Sequence, residues 1–304
     1  MNRLHREEGT VLLVVLVLVV LLTTLLGEFA FSTLVDLRTT ESFRDRTRAY
    51  YLAKGGIRVG RMILQDDRNG YDAAGELWSQ GISGYPVGEG QVSIAIEDLD
   101  GRINLNLLVT AQGNTDVVVK DRLLRLLVEL DIAEGPELVD ALIDWLDPDS
   151  DPEPKGAEDD YYESLAPVVP AKNGPLDDFG ELSRVRGFSP DIIDRLAPHA
   201  AVRGSSLINV NTASAEVLTA LADEMERETA ETIIAARQAT PLTSVARLKE
   251  LPGLESRYGF IFRYLKVTSN TYRVHARAEV GGGISNLEAD IRKKGDKILY
   301  LKVD

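Results

Sequence analysis

Thr10-Val-Leu-Leu-Val-Val-Leu-Val-Leu-Val-Val-Leu-Leu-Thr-Thr-Leu-Leu-Gly27 runs for 18 residues without a charge. As a helix rising 1.5 Å per residue it reaches roughly 27 Å, close to the ~30 Å hydrocarbon core of a bilayer. The stretch before it, Met1 to Gly9, is polar and of mixed charge, with Arg3, Arg6 and the α-amine against Glu7 and Glu8. That thin positive bias puts the N-terminus in the cytoplasm and everything after Glu28 across the membrane. The rest of the chain is expected to work beside a membrane.

Three readings of the segment compete. A cleaved secretory signal needs an apolar stretch of ~7–15 residues and then a small-x-small site. Here the stretch is longer and leads into Gly27-Glu28-Phe29-Ala30-Phe31. An uncleaved anchor fits the length. The third reading turns on Gly9, because a short charged leader ending in Gly before a long apolar helix resembles the prepilin-peptidase site of type IV pilins and type II secretion pseudopilins. The resemblance implies cleavage after Gly9 and a mature N-terminus at Thr10. Two positions depart from it: Thr10 replaces a bulky apolar residue, and Val14 replaces the usual Glu at mature position five. A carboxylate inside a bilayer is costly without a partner. In these filaments the partner is taken to be the amine of the next subunit, which a subunit lacking that Glu cannot contact.

The 304 residues suffice for two or three modest domains, and the absence of cysteine removes disulfides and thiolate metal sites. A net charge of −14 argues against a nucleic-acid partner. Nearly all the excess lies between Asp131 and Glu163, where 13 acids face one base, Lys155.

Beyond Gly27, the apolar residues Phe31, Leu34, Leu37, Phe43, Tyr50, Ile57 and Leu64 recur near multiples of 3.6. They predict one long helix that leaves the membrane and turns amphipathic, fraying near Asp66–Gly70. Gly55, Gly56 and Gly60 weaken it, for which close packing on a sheet would be a reason. A turn-rich stretch from Gly81 to Gly90 precedes alternating strands at Gln91–Glu97 and Arg102–Leu108. Helical patterns follow at Lys120–Ile132, Pro136–Leu146, Phe179–Val185, Pro190–Leu196, Ser214–Leu221, Thr229–Arg237 and Val245–Lys249. Strands return at Arg263–Ser269, Thr271–Val280, Ile284–Arg292 and Lys297–Val303, with Gly281–Gly283 as a hairpin turn. The economical interpretation is an α+β chain with an α-helical insertion between its strands.

Its parts are a leader (1–9), a transmembrane helix (10–27) and the first part of a core (28–108). An insertion (109–259, divided into 109–204 and 205–259) and C-terminal core strands (260–304) complete it.

The densest local chemistry is Asp144-Trp-Leu-Asp147-Pro-Asp149-Ser-Asp151-Pro-Glu-Pro-Lys-Gly-Ala-Glu158-Asp159-Asp160. Carboxylates this close repel one another unless a cation neutralises them, and hard oxygen ligands at alternate positions suit Ca²⁺ better than Mg²⁺. Counting from Asp147 puts Glu158 at position twelve of an EF-hand loop, but position six is Pro152 instead of Gly, so the loop is not an EF-hand. A solvated acidic loop held extended by its prolines is the alternative.

Leu207-Ile-Asn209-Val-Asn211-Thr-Ala-Ser214 looks like the opening of a helix-hairpin-helix or SAM-like module, with Ser214 as a helix cap. The candidate phosphate-holding turns are Gly187-Phe-Ser189, Asp223-Glu-Met-Glu226 and Gly253-Leu-Glu255. None has a Gly-apolar-Gly hairpin, and acids stand where phosphate would approach, which disfavours DNA. The three histidines are scattered, and no HExxH, GxSxG, Walker or Rossmann motif is present. No catalytic role is expected.

The order of these motifs resembles the type II secretion minor pseudopilin K family over nearly the whole chain. The similarity adds Arg48-Ala-Tyr-Tyr-Leu-Ala-Lys-Gly-Gly56, Asp98-Leu-Asp-Gly-Arg-Ile-Asn-Leu-Asn106, Gly156-Ala-Glu-Asp-Asp-Tyr-Tyr162, Pro175-Leu-Asp-Asp-Phe-Gly-Glu-Leu182 and Ile208-Asn-Val-Asn-Thr212. It implies a pilin-like core with a large helical insertion, anchored once in the bacterial inner membrane with its head in the periplasm. It also implies a place at the filament tip beside I- and J-type minor pseudopilins, above the major pseudopilin, after prepilin-peptidase processing at Gly9 and methylation of Thr10. Calcium is the implied cofactor, with Asp147, Asp149, Asp151, Glu158, Asp159 and Asp160 as the ligand set. The other readings are a minor pilin of a type IV system and a membrane-anchored DNA receptor.

Overall fold

The computed structural model describes residues 4–165 and 170–304, so the first three residues of the expected leader lie outside the described residues. From Leu4 to Asp66 the chain is one helix, α1, about 95 Å long at 1.5 Å per residue. Between Val11 and Leu26 its large apolar side chains are 49% to 71% exposed, with no protein covering them. Among the described residues α1 is the one helix long and apolar enough to cross a membrane.

After α1 come α2 (Leu77–Gln80), β1 (Ile82–Val87), β2 (Gly90–Asp98) and β3 (Ile103–Asn104). The helical block holds α3 (Val117–Glu129), α4 (Gly135–Leu146), α5 (Asp159–Glu163), α6 (Pro190–Leu196), β4 (Ala200–Ala201) and β5 (Ile208–Asn209). It continues through α7 (Ala215–Thr219), α8 (Arg227–Ala239) and α9 (Tyr258–Ile261). The chain closes with β6 (Leu265–Lys266), β7 (Thr271–Val280), β8 (Gly283–Arg292) and β9 (Lys297–Val303).

Five strands form one antiparallel sheet in the order β1-β2-β7-β8-β9. Since β2 pairs directly with β7, Gly90 opposite Val280 and Asp98 opposite Tyr272, the two β stretches belong to one core and the helical block is inserted between them. The sheet's inner face carries Val92, Ile94 and Ile96 from β2, Val274, Ala276 and Ala278 from β7, and Leu287, Ala289 and Ile291 from β8. It packs on Ala53, Ile57 and Leu64 of α1. A separate apolar core fills the insertion, from Ile103 to Leu265.

Two glycines set how closely α1 approaches the sheet. A Cβ on Gly60 would stand 2.6 Å from Val274 Cγ1, and one on Gly56 would stand 2.9 Å from Ala276 Cβ. Gly55 faces open space, so the sheet explains two of the three helix glycines.

The local differences from sequence expectation have physical causes. Alternation over Arg102–Leu108 predicts a strand, but only Ile103–Asn104 pairs, and a 3-10 turn follows. Asn104 Oδ1 accepts from the Asn106 N–H (3.1 Å), a side-chain bond that competes with the strand ladder. Asn106 Nδ2 then donates to the carbonyls of Leu176 and Val202 (both 2.8 Å), tying the turn into the insertion. The Gly81–Gly90 stretch contains strand β1; it tolerates Pro86 and a bulge between Ile82 and Tyr85 because it is a sheet edge. Of Arg263–Ser269 only Leu265–Lys266 is strand. The acidic segment, which carries no helical pattern in the sequence, contains α5.

A buried polar junction joins core to insertion. Asp98 Oδ2 accepts from Asn209 Nδ2 (3.0 Å), Thr212 Oγ1 (2.5 Å) and Ser269 Oγ (2.6 Å). Asp100 accepts from Ser205 N (2.9 Å), Lys266 Nζ (2.6 Å) and Asn270 N (2.7 Å). Asp72, just past α1, accepts from Ser269 N (2.7 Å), the Tyr272 hydroxyl (2.5 Å) and Lys293 Nζ (2.9 Å).

Replacing Gly60 by Ala is expected to destabilise the head by about 1–3 kcal/mol through overpacking. Replacing Gly55 by Ala, in open helix, is expected to stabilise it by roughly 0.5–1 kcal/mol. Denaturant titration of the full chain in detergent measures both, and a Gly60→Ala protein as stable as the parent would contradict the packing.

Candidate metal centre

Helix α4 is apolar on nearly every side and buries Leu138, Leu142, Ile143, Trp145 and Leu146. Its last turn carries Asp144, and Asp147 follows at the C-cap. Three residues apart, the two carboxylates share one face of the helix end. Pro148 then turns the chain, and the Asp149 carboxylate accepts from the Asp151 N–H (2.9 Å) in a tight local turn.

The returning backbone closes on the same point. Glu153 N donates to Asp144 Oδ1 (2.9 Å), and Gly156 passes so near that an added Cβ would lie 1.8 Å from Asp144 Oδ2. Only glycine fits there. Glu158 follows as the N-cap residue of α5, but its side chain makes no capping bond. The far side is fixed by Arg186, which donates to the Gly156 carbonyl (2.9 Å) and lies 4.9 Å over the Tyr161 ring. Tyr162 packs edge-on against Trp145, with ring centroids 5.1 Å apart.

Asp147, Asp149 and Glu158 each offer an oxygen within 4.8 Å of the others. Asp147 Oδ1, Asp144 Oδ2 and both Glu158 oxygens are buried without a hydrogen-bond partner. The nearby ammoniums are occupied elsewhere, Lys120 by Asp140 (3.0 Å) and Lys155 by Glu137 (2.5 Å). A buried polar atom left unpaired costs about 1–3 kcal/mol, and more when charged. Burial, then repulsion from Asp149, Asp144 and Glu153, pushes Asp147 up to about 6. Burial, then repulsion led by Asp144, pushes Glu158 up to about 7. Burial raises Asp144 as well. The donor set is all oxygen, which suits a hard cation with flexible coordination and fits Ca²⁺.

Not every residue of the expected set stands in this group. Asp151 and Asp160 are exposed, as Asp149 is, but unlike Asp149 they bring no oxygen into the group. One Asp159 oxygen accepts from the Ala171 N–H (3.0 Å). Asp144 is the member that sequence reasoning passed over, although its spacing to Asp147 on an apolar helix was a usable signal. A second carboxylate group, Asp67, Asp72 and Glu76, is neutralised internally. Lys293 Nζ bridges Asp67 (2.7 Å) and Asp72 (2.9 Å), while Glu76 accepts from Ala73 N (2.7 Å) and Trp78 Nε1 (3.0 Å).

Of the three candidate phosphate turns, the one at 223–226 carries paired acids. Asp223 meets Arg125 (2.8 Å) and Glu226 meets Arg257 (2.9 Å). Ser214 caps α7, accepting from Val217 N at 3.2 Å.

Family models described as type II secretion system, protein K match residues 101–205 and 208–262, over half of the chain together. The type II secretion system protein K of Pseudomonas aeruginosa is 33% identical over 245 residues, covering 76% of this chain and 72% of that one. This chain belongs to the protein K family of type II secretion systems. As a family member it is a minor pseudopilin, in agreement with the motif order of the sequence. Protein K of Pectobacterium carotovorum subsp. carotovorum is 29% identical over 312 residues, 96% of this chain and 94% of that one. The fold resembles a chain in the crystal structure of the GspK-GspI-GspJ complex from enterotoxigenic Escherichia coli. The TM-score is 0.73 at 20% identity, over 88% of this chain and 99% of that one. The two family models together span the insertion, the part that sets protein K apart from a plain helix-and-sheet core.

The carboxyls of Asp147 and Glu158 hold protons in the folded state up to about 6 and about 7, against roughly 3.9 and 4.3 when unfolded. Raised folded values favour the fold at low pH. In metal-free buffer, stability is therefore expected to fall as pH rises from about 4 to 7. Glu158→Gln should flatten part of that slope in urea titrations at pH 5 and pH 7.5; an unchanged slope would discount the site's contribution.

Proposed function

We propose that this protein K is the tip subunit of a periplasmic pseudopilus that helps move folded proteins across the outer membrane. On this reading α1 anchors the chain once in the bacterial inner membrane and the head stands in the periplasm. Prepilin peptidase cuts after Gly9, and the new N-terminal residue Thr10 is methylated.

The observation that carries the tip position is Val14. A subunit inside the shaft needs a carboxylate at that depth to meet its neighbour's amine, since an intramembrane charge is tolerated only when paired. A subunit with an apolar residue there needs no neighbour above it. The insertion supports the same conclusion, because the chain leaves the sheet at Asp98 and rejoins it at Thr271. A head enlarged this much obstructs the stacking of another subunit on top. The assembly of the related GspK with GspI and GspJ supports I- and J-type minor pseudopilins as partners, with the major pseudopilin below. The proposed role is mechanical, with neither catalysis nor nucleic-acid binding.

Calcium is the proposed ligand of the acidic centre, held by Asp147, Asp149 and Glu158 with Asp144 beside them. The unpartnered buried oxygens support this assignment. Bound there, the ion supplies positive charge where four carboxylates converge. The chain's own part is to bring the end of α4 and the start of α5 together around it.

Labelled antibody against the head, applied to fibres formed with excess major pseudopilin, is expected to mark one end only. Label spread along the shaft would overturn the tip assignment. Mass spectrometry of the membrane-extracted chain should find a methylated Thr10, whereas an intact Met1 terminus would refute the processing.

Millimolar Ca²⁺ is expected to raise stability by about 2.7 kcal/mol if it stands near 100 times the dissociation constant. Asp147→Asn and Glu158→Gln should abolish the gain, and Asp160→Asn should keep it. A metal-free protein indifferent to calcium in calorimetry and thermal melts would rule the ion out.

A further inference from the structure

Helices α3, α4 and α7 leave a groove of about 800 Å³ between them, on the side chains of Leu124, Val128, Ile132, Pro136, Ala222 and Met225. Val128 is 71% exposed, although its neighbours Leu126 and Leu127 on α3 are buried in the core. The groove's size lies within the ~300–1,000 Å³ of ligand-binding clefts. It can take the apolar side of a short helix or extended segment, not a folded domain.

The charge around the groove selects what enters. Arg125 is engaged by Asp223 (2.8 Å) and by the Ala220 carbonyl (3.0 Å). Arg227 is engaged by Glu216 (2.9 Å) and Glu129 (3.5 Å). Asp131, Glu134 and Glu224 are exposed on the two flanks, and among the described residues none of the three has an ion-pair partner. The two arginines are spent on Asp223, Glu129 and Glu216, and these three further acids are left over. An apolar floor between unpaired carboxylates attracts a segment with apolar side chains on one face and Lys or Arg beside them, and repels an acidic one.

We propose that this groove is a docking site for a cationic amphipathic segment of a partner protein. The proposal does not depend on the tip position or on the metal. It assigns the insertion a recognition surface of its own, drawn from both of its parts, 109–204 and 205–259.

The test uses the full chain in phosphatidylcholine nanodiscs, with empty nanodiscs as the blank. The probes are a fluorescein-labelled 14-residue Leu/Lys amphipathic peptide and its Leu/Glu counterpart, followed by anisotropy. The Lys peptide is expected to bind at least tenfold more tightly than the Glu peptide. Val128→Lys and the pair Asp131→Lys with Glu134→Lys should each weaken it at least fivefold, and Glu255→Lys, an exposed acid elsewhere, should not. Equal binding of both peptides, no binding, or an equal loss in Glu255→Lys would each overturn the proposal. Should a groove variant melt early, a photo-cross-linking residue at Val128 in the otherwise native chain gives the second measurement. It should capture the Lys peptide where the same residue at Tyr85 does not, and the reverse pattern sinks the idea. If sedimentation shows the groove variants changing self-association while peptide binding stays the same, the occupant is a second copy and the proposal fails.

Discussion

Asp98 is the point through which the head is held in one piece. It lies at the end of β2, where the chain leaves the sheet for the insertion, and it is buried with no cation beside it. Its Oδ2 is satisfied by Asn209 and Thr212 from the insertion and by Ser269 from the re-entry into β7, while its Oδ1 receives the Asp100 N–H (2.8 Å). A buried carboxylate is tolerated only when donors converge on it. The three donors to Oδ2 stand 111, 114 and 171 residues further along the chain than Asp98. Exit and return of the chain are therefore fastened to one atom, and the neighbouring Asp72 and Asp100 extend that bond to the end of α1 and to Lys266. Even so, burial pushes Asp98 up to about 6, so the junction is specific more than it is strong. It fixes where the insertion sits at some cost in stability, a trade that buried polar networks make elsewhere.

The acidic centre and the Lys293 group show two answers to one electrostatic problem. Both bring three carboxylates within reach of one another. At the end of α1, Lys293 supplies the counter-charge and every carboxylate finds a donor. At the end of α4 the local ammoniums are turned toward Asp140 and Glu137, and the central oxygens stay bare. Composition alone cannot tell these apart, because both are runs of Asp and Glu. The distinction is made by one lysine that reaches one site from far along the chain.

Legibility in the sequence followed the range of the forces. Alternation and helical period are local, so the end of α1, and β7, β9 and α6, could be read almost to the residue. The reason for Gly56 and Gly60 was guessed but needed Val274 and Ala276, over 200 residues away, to become specific. The 102–108 stretch alternates like a strand yet is diverted by the side chains of Asn104 and Asn106, whose partners Leu176 and Val202 are remote. Strand β1 was hidden by the glycines and proline that an edge strand tolerates. Within the acidic segment the sequence singled out Asp147, Asp149 and Glu158, but it had no means of separating them from Asp151 and Asp160. What separates them is convergence: Asp147, Asp149 and Glu158 bring oxygens within 4.8 Å of one another, where Gly156 lets the backbone close on Asp144.

A subunit proposed to transmit force needs its stem and head to move as one body. Helix α1 has no proline and no break between the apolar segment and the sheet. It meets the sheet through glycines whose backbone contact leaves no lubricating side chain between helix and strands. Above the apolar segment and below Ala49, however, Phe29, Phe31, Leu34, Val35, Leu37 and Phe43 stay exposed in the isolated chain. Large apolar side chains bare at this density along one helix are unfavourable in water and point to an interface. The head cannot fold down to cover that stretch while α1 is straight. In the proposed tip assembly, neighbouring stems from below would shield it, which ties the exposed stretch of the helix to the same proposal.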